Sequence, residues 1–93
     1  MIVKDSLVVV TGGGSGIGRA LCQVFAEAGA RTVVVADLDL AHARETANAL
    51  RGEALRCDVA KEEDVRGQIA TVEERHGPIH LFCPNDGIGA AFD

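Results

Sequence analysis

From Thr11 to Gly18 the chain reads TGGGSGIG, and five of these eight residues are glycine. Glycine inside a regular element costs up to about 1 kcal/mol against alanine, so the cluster must be needed where it stands or belong to a linker. It lies between an apolar run, Leu7-Val8-Val9-Val10, and an amphipathic stretch, RALCQVFAEAGA. A glycine turn that opens a helix offers unpaired N–H groups and a partial positive charge, with no Cβ to hold off an anion such as phosphate. Spacing separates the phosphate loops. G-x-G-x-x-G fails, because its third glycine position holds Ile17 counted from Gly12 and Arg19 counted from Gly14. G-x-x-x-x-G-K-[ST] fits Gly13 and Gly18, but Arg19-Ala20 stands where a lysine and a hydroxyl must hold phosphate and magnesium. What remains is Thr11-Gly12-x-x-x-Gly16-Ile17-Gly18.

The other residue types capable of chemistry are sparse. His76, His80 and Cys83 have spacings that suggest zinc, but Gly77-Pro78 breaks any helix joining the two histidines and no fourth ligand pattern appears. Packing or surface roles fit them better, and no metal site is expected. Cys22 has no apparent base partner and reads as a packing residue. Cys22, Cys57 and Cys83 form an odd, widely spaced set, which suits buried thiols of a reducing cytosol better than a disulfide framework.

The elements that must position the loop follow from periodicity. Leu7 to Thr11 is a buried strand; Ile17, Leu21, Val24, Phe25 and Ala28 then recur at helical spacing up to Gly29. Thr32 to Ala36 is a second run typical of a strand covered on both faces. Leu40, Ala43, Ala47 and Leu50 mark a second helix ending near Gly52, and Ala54 to Val59 a weaker third strand. Lys61 to His76 is a third helix with Val65, Ile69 and Val72 on one face, acids in its first turn and Arg75-His76 in its last, matching the helix dipole. Ile79 to Cys83 is a fourth strand. The βαβαβαβ order, with right-handed crossovers, gives an α/β, Rossmann-like doubly wound parallel sheet in the order 3-2-1-4 over a single domain, residues 1–93. The glycine cluster then sits at the carboxyl end of strand 1, beside the topological switch where such sheets bind ligands.

With the loop so placed, the spelling Thr11-Gly12-x-x-x-Gly16-Ile17-Gly18 resembles the short-chain dehydrogenase/reductase family, whose cofactor loop reads TGxxxGIG. The resemblance runs in register over nearly the whole chain. Asp37 closes strand 2, nineteen residues after Gly18, where the family's acid accepts hydrogen bonds from the ribose hydroxyls of an adenosine. Asp58-Val59 closes strand 3 and is similar to the family's Asp-Val pair beside the adenine. Asn85 and Gly87 match the last Asn and the Gly of its Asn-Asn-Ala-Gly motif. The resemblance therefore implies a nicotinamide dinucleotide held by Gly12, Ser15, Gly16, Ile17, Gly18, Asp37, Leu38, Asp58, Val59, Asn85 and Gly87. Blander roles stand beside these. Asp37 also suits a solvated turn, Asp58 suits an acid offsetting the poor helix cap Ala60, and Asn85 suits a tie between strand 4 and its neighbours. NAD is expected over NADP, because Asp37 would repel a 2′-phosphate and neither Ser15 nor Leu38 supplies a basic partner.

The chain departs from the family in three ways. The family's catalysts are a serine and a Tyr-x-x-x-Lys segment. This chain has no tyrosine, its serines Ser6 and Ser15 precede or belong to the loop, and Lys4 and Lys61 lie in other elements. No catalytic residue is expected within it. The family's first motif Asn is Pro84 here, and proline lacks the N–H a central strand uses, so strand 4 is expected to end at Cys83. The motif's Ala is Asp86, whose carboxylate would either oppose an anionic ligand or face water. Strand 4 would also form an edge open to pairing.

Three functions fit. The chain is the cofactor-binding half of an NAD-dependent oxidoreductase acting on an alcohol or carbonyl, as a fragment or a truncated product. Alternatively it is a non-catalytic NAD-binding module, or an interaction partner that self-associates or pairs through strand 4 with a full-length relative. The first accounts for every matched motif. A net charge of −5 without a basic block, and three aromatics, all phenylalanine, argue against nucleic acid. Apolar runs far shorter than the roughly 20 residues of a membrane span, and an N-terminus that holds an acidic residue and no adequate apolar core, imply a cytoplasmic protein without membrane contact.

Overall fold

The computed structural model describes residues 3–85. Chain order is β1 (Leu7–Thr11), α1 (Gly16–Glu27), β2 (Thr32–Asp37), α2 (Leu40–Leu50), β3 (Glu53–Arg56), α3 (Glu62–His76) and β4 (Leu81–Pro84). The strands form one four-stranded parallel sheet in the order β3-β2-β1-β4. Its pleat sends alternate residues of β1 to opposite faces, and both faces are covered. Val8 and Val10 pack with Val33 and Val35 against Cys22 of α1 and Ala43 and Ala47 of α2. Leu7, Val9 and Val34 pack on the other side with Val72 of α3. This two-sided burial explains the unbroken β-branched runs of β1 and β2. Each such side chain contributes about 1.5–3 kcal/mol of burial.

Several boundaries differ from expectation, among them the start of β4 at Leu81 rather than Ile79. β3 ends at Arg56, paired with Asp37, rather than at Val59. Cys57 still donates its N–H to the Asp37 carbonyl at 3.0 Å. The backbone then turns, with Asp58 N–H bonded to Asp64 Oδ2 and Asp58 Oδ1 accepting from Ala60 N–H. Lys61, not Ala60, is therefore the residue that precedes α3.

β4 runs through Pro84, which lies opposite Thr11, rather than ending at Cys83. The missing proline donor does not end the pairing, because the next N–H, of Asn85, bonds to Thr11 Oγ1 at 3.1 Å. In α1 the inward face also differs. Gly18 and Cys22 are buried while Ile17 and Val24 are 75% and 57% exposed. The start of the helix lies so close to the strand-end loop that Gly18 and Cys22 face it, while Phe25 packs on the same core further along. The Cys22 thiol in this layer is held protonated: burial, with Cys83 nearby, pushes it up to about 11.

Candidate functional site

The loop from Gly12 to Gly18 leaves the carboxyl end of β1, between the ends of β2 and β4. Gly12 and Gly16 take φ of 66° and 59°, left-handed values that turn the chain sharply at little cost only without a side chain. Gly12, Gly13 and Gly14 are buried, and Gly13 N–H is tied to the Ala36 carbonyl at 3.2 Å. Ser15, Gly16 and Ile17 form the exposed lip. Gly18 is fixed by close approach: a Cβ there would lie 1.9 Å from the Gly12 carbonyl oxygen. Asn85 meets the same peptide, its Nδ2 donating to the Gly12 oxygen at 3.3 Å.

The start of α1 differs electrostatically from the other helix starts. Asp39 caps α2 by accepting from His42 N–H at 3.2 Å, and α3 opens with Glu62, Glu63 and Asp64. At α1, Ser15 makes no side-chain cap bond and the first turn holds no acid. Its partial positive charge and free N–H groups thus face the exposed lip, a setting for an anion.

Asp37 ends β2 beside this loop. Its Oδ2 accepts from Gly14 N–H at 3.0 Å and its Oδ1 from Asp39 N–H at 2.9 Å. Each carboxylate oxygen keeps a further acceptor position. Leu38 and Val59 lie exposed past the ends of β2 and β3. Asp58 sits past β3 in the turn described above. The structure thus gathers Gly12, Ser15, Gly16, Ile17, Gly18, Asp37, Leu38 and Asn85 around the β1 carboxyl end, with Asp58 and Val59 on the β3 side. Gly87 and Asp86 lie outside the described residues.

His76 and His80 serve the opposite end of the sheet. His80 donates its N–H to the Leu7 carbonyl at 3.0 Å, and its Nδ1 accepts from Leu7 N–H at 2.9 Å. His76 Nε2 lies 2.8 Å from Glu53 Oε2. Among the described residues no group of His, Cys, Asp and Glu is placed to hold a metal ion. Nor is any helix there long and apolar enough to cross a membrane.

Fold, loop and strand-end residues together define a class. A family model described as short chain dehydrogenase matches residues 6–93, and the chain belongs to that family. It is 42% identical over 89 residues to the maize (Zea mays) sex determination protein tasselseed-2, covering 92% of this chain and 26% of the relative. It is 41% identical over 86 residues to a mouse (Mus musculus) 3-oxoacyl-[acyl-carrier-protein] reductase, covering 90% and 36%. A solved short chain dehydrogenase/reductase of Burkholderia phymatum, in complex with NAD, superposes with a TM-score of 0.81 at 31% identity, over 88% of this chain and 31% of that one. The chain thus spans about a quarter to a third of the length of these relatives.

Proposed function

We propose that this chain is the dinucleotide-binding portion of an NAD(H)-dependent short-chain oxidoreductase. The observation that carries the reading is the uncapped, acid-free start of α1, reached by a glycine loop in which Gly18 has no room for a Cβ. The residues fit the group. Ser15, Gly16 and Ile17 would receive the pyrophosphate on backbone N–H groups, Asp37 would accept from the ribose hydroxyls, and Leu38, Asp58 and Val59 would flank the adenine. Asn85 would border the crevice from the β4 side. The Burkholderia phymatum relative's NAD complex supports a nicotinamide cofactor of this type. When bound, that cofactor would supply the hydride as NADH or accept it as NAD; this chain would bind and orient it.

In the whole oxidoreductase the reaction partner is an alcohol or carbonyl compound. A second reading, pairing with further chain or another copy, is favoured by one observation: β4 is the outer strand of the described sheet.

Titration of the chain into NADH tests the cofactor reading, because the chain has no tryptophan to confuse the nicotinamide emission. A saturable 1:1 rise in emission, reversed by NAD, is expected. A chain with native far-ultraviolet dichroism and no saturable response would overturn it.

A further inference from the structure

Asp37 is held more firmly than an acid that merely ends a strand. One oxygen bonds to a backbone N–H of the glycine loop, 23 residues away, and the other to Asp39 N–H two residues on. Two bonds from two different segments leave the carboxylate one orientation. Gly14 makes the arrangement possible. Its φ is not among the positive ones, so no turn requires glycine there. Contact does: a Cβ on Gly14 would come within 2.7 Å of His42 Cβ, 2.8 Å of Asp37 Oδ2 and 3.0 Å of the His42 carbonyl carbon. The loop backbone is wedged into the corner between the end of β2 and the first turn of α2.

We propose that Gly14 is a positioning residue for cofactor choice, locking the Asp37 carboxylate toward a ribose 2′,3′-diol and closing the corner to a 2′-phosphate. The inference rests on the dinucleotide reading above. A diol brings two O–H donors, and the fixed carboxylate has acceptor positions left for both. A 2′-phosphate brings only acceptors and negative charge, and needs donors. The Gly14 and Asp39 N–H groups of this corner already bond to Asp37. His42, the nearby imidazole, pairs with Asp39 at 3.3 Å. The competing explanation is charge alone, in which Asp37 repels the phosphate wherever its carboxylate points.

Asp37→Glu separates the two, since it keeps the charge but carries the carboxylate one methylene away from both N–H groups. Dissociation constants for NAD and NADP are measured by calorimetry on the full chain, Gly14→Ala, Asp37→Glu and, as a control, Gly67→Ala. Gly67 faces open space on α3. The parent is expected to prefer NAD. Gly14→Ala and Asp37→Glu should each lower the ratio Kd(NADP)/Kd(NAD) at least tenfold, while Gly67→Ala leaves it unchanged. The ratio is a readout that general loss of stability does not move. If Gly14→Ala fails to fold by circular dichroism, Asp37→Glu decides alone. Either folded variant keeping the parent ratio overturns the inference. A folded parent that binds neither dinucleotide overturns the functional reading as well.

Discussion

Single atoms decide several properties of this chain. A methyl group at Gly18 has nowhere to go, since the Gly12 carbonyl would stand 1.9 Å away and Asn85 Nδ2 2.8 Å away. Gly18→Ala is therefore expected to displace the loop and abolish dinucleotide binding. Gly67→Ala, in open space within a helix, should stabilise by about 0.5–1 kcal/mol. Thermal melts and the NADH titration check the pair. The opposite logic applies to Thr46, whose buried Oγ1 has no hydrogen-bond partner among the described residues. Thr46→Val keeps the shape and removes the unmet hydroxyl, so it should raise stability by about 1 kcal/mol in urea unfolding. The glycine spacing, Asp37 and Asn85 were legible in the sequence because each is a residue type at a fixed offset from a strand end. The bond from Gly14 N–H to Asp37 was not, because it depends on how two loops distant in sequence meet. Nor was the Leu7–His80 bond, which joins the start of β1 to the start of β4.

Element by element, the sequence signal was strongest where burial is two-sided and weakest where packing is local. β1 and β2 were legible as β-branched runs, and right-handed crossovers then required the order 3-2-1-4. The apolar stripe of α1 turns inward only in part: Phe25 packs on the core, Ile17 and Val24 stay exposed, and close approach to the loop selects Gly18 and Cys22. Pro84 misled for a related reason: a lost donor ends a strand only if the next N–H finds no acceptor, and here Thr11 Oγ1 serves. α3 buries one residue fully, Val72, and is additionally clipped to β3 through Glu53. Glu53 Oε1 meets Arg75 Nη1 at 2.6 Å and Oε2 meets His76 Nε2 at 2.8 Å, while Arg31 Nη2 donates to the His76 carbonyl. Burial alone would raise the Glu53 carboxyl, but the bonds from His76 and Arg75 and their charges more than offset it, and the group titrates below its usual 4.5. A depressed carboxylate contributes stability that is present above pH 4.5 and is lost as pH falls through the lower folded value. Glu53→Gln should cost about 0.5–1 kcal/mol at neutral pH and should flatten the stability profile below pH 4.5 in acid titrations of urea unfolding.

At the scale of the whole molecule, the switch between β1 and β4 gathers what the sequence had scattered. The loop after β1, the acid that ends β2, the turn after β3 and Asn85 after β4 all face one edge, because parallel strands end on the same side. The family resemblance was legible over nearly the whole chain for that reason. The 93-residue chain holds no tyrosine to exchange a proton with a substrate oxygen. It is therefore expected to show no turnover of secondary alcohols or ketones with NAD(H). A rate that follows the purified chain and vanishes with Gly16→Ala or Gly18→Ala would contradict this. The central claim, that the carboxyl edge of the sheet binds a dinucleotide on the open start of α1, is tested most directly by amide resonances of the ¹⁵N-labelled chain during titration with NAD. The account predicts saturable shifts at Gly14 to Gly18, Asp37 to Asp39 and Asp58 to Val59, with Leu7, Arg75 and His80 at the far edge unmoved. A folded chain whose resonances do not move, or move only at that far edge, would contradict it.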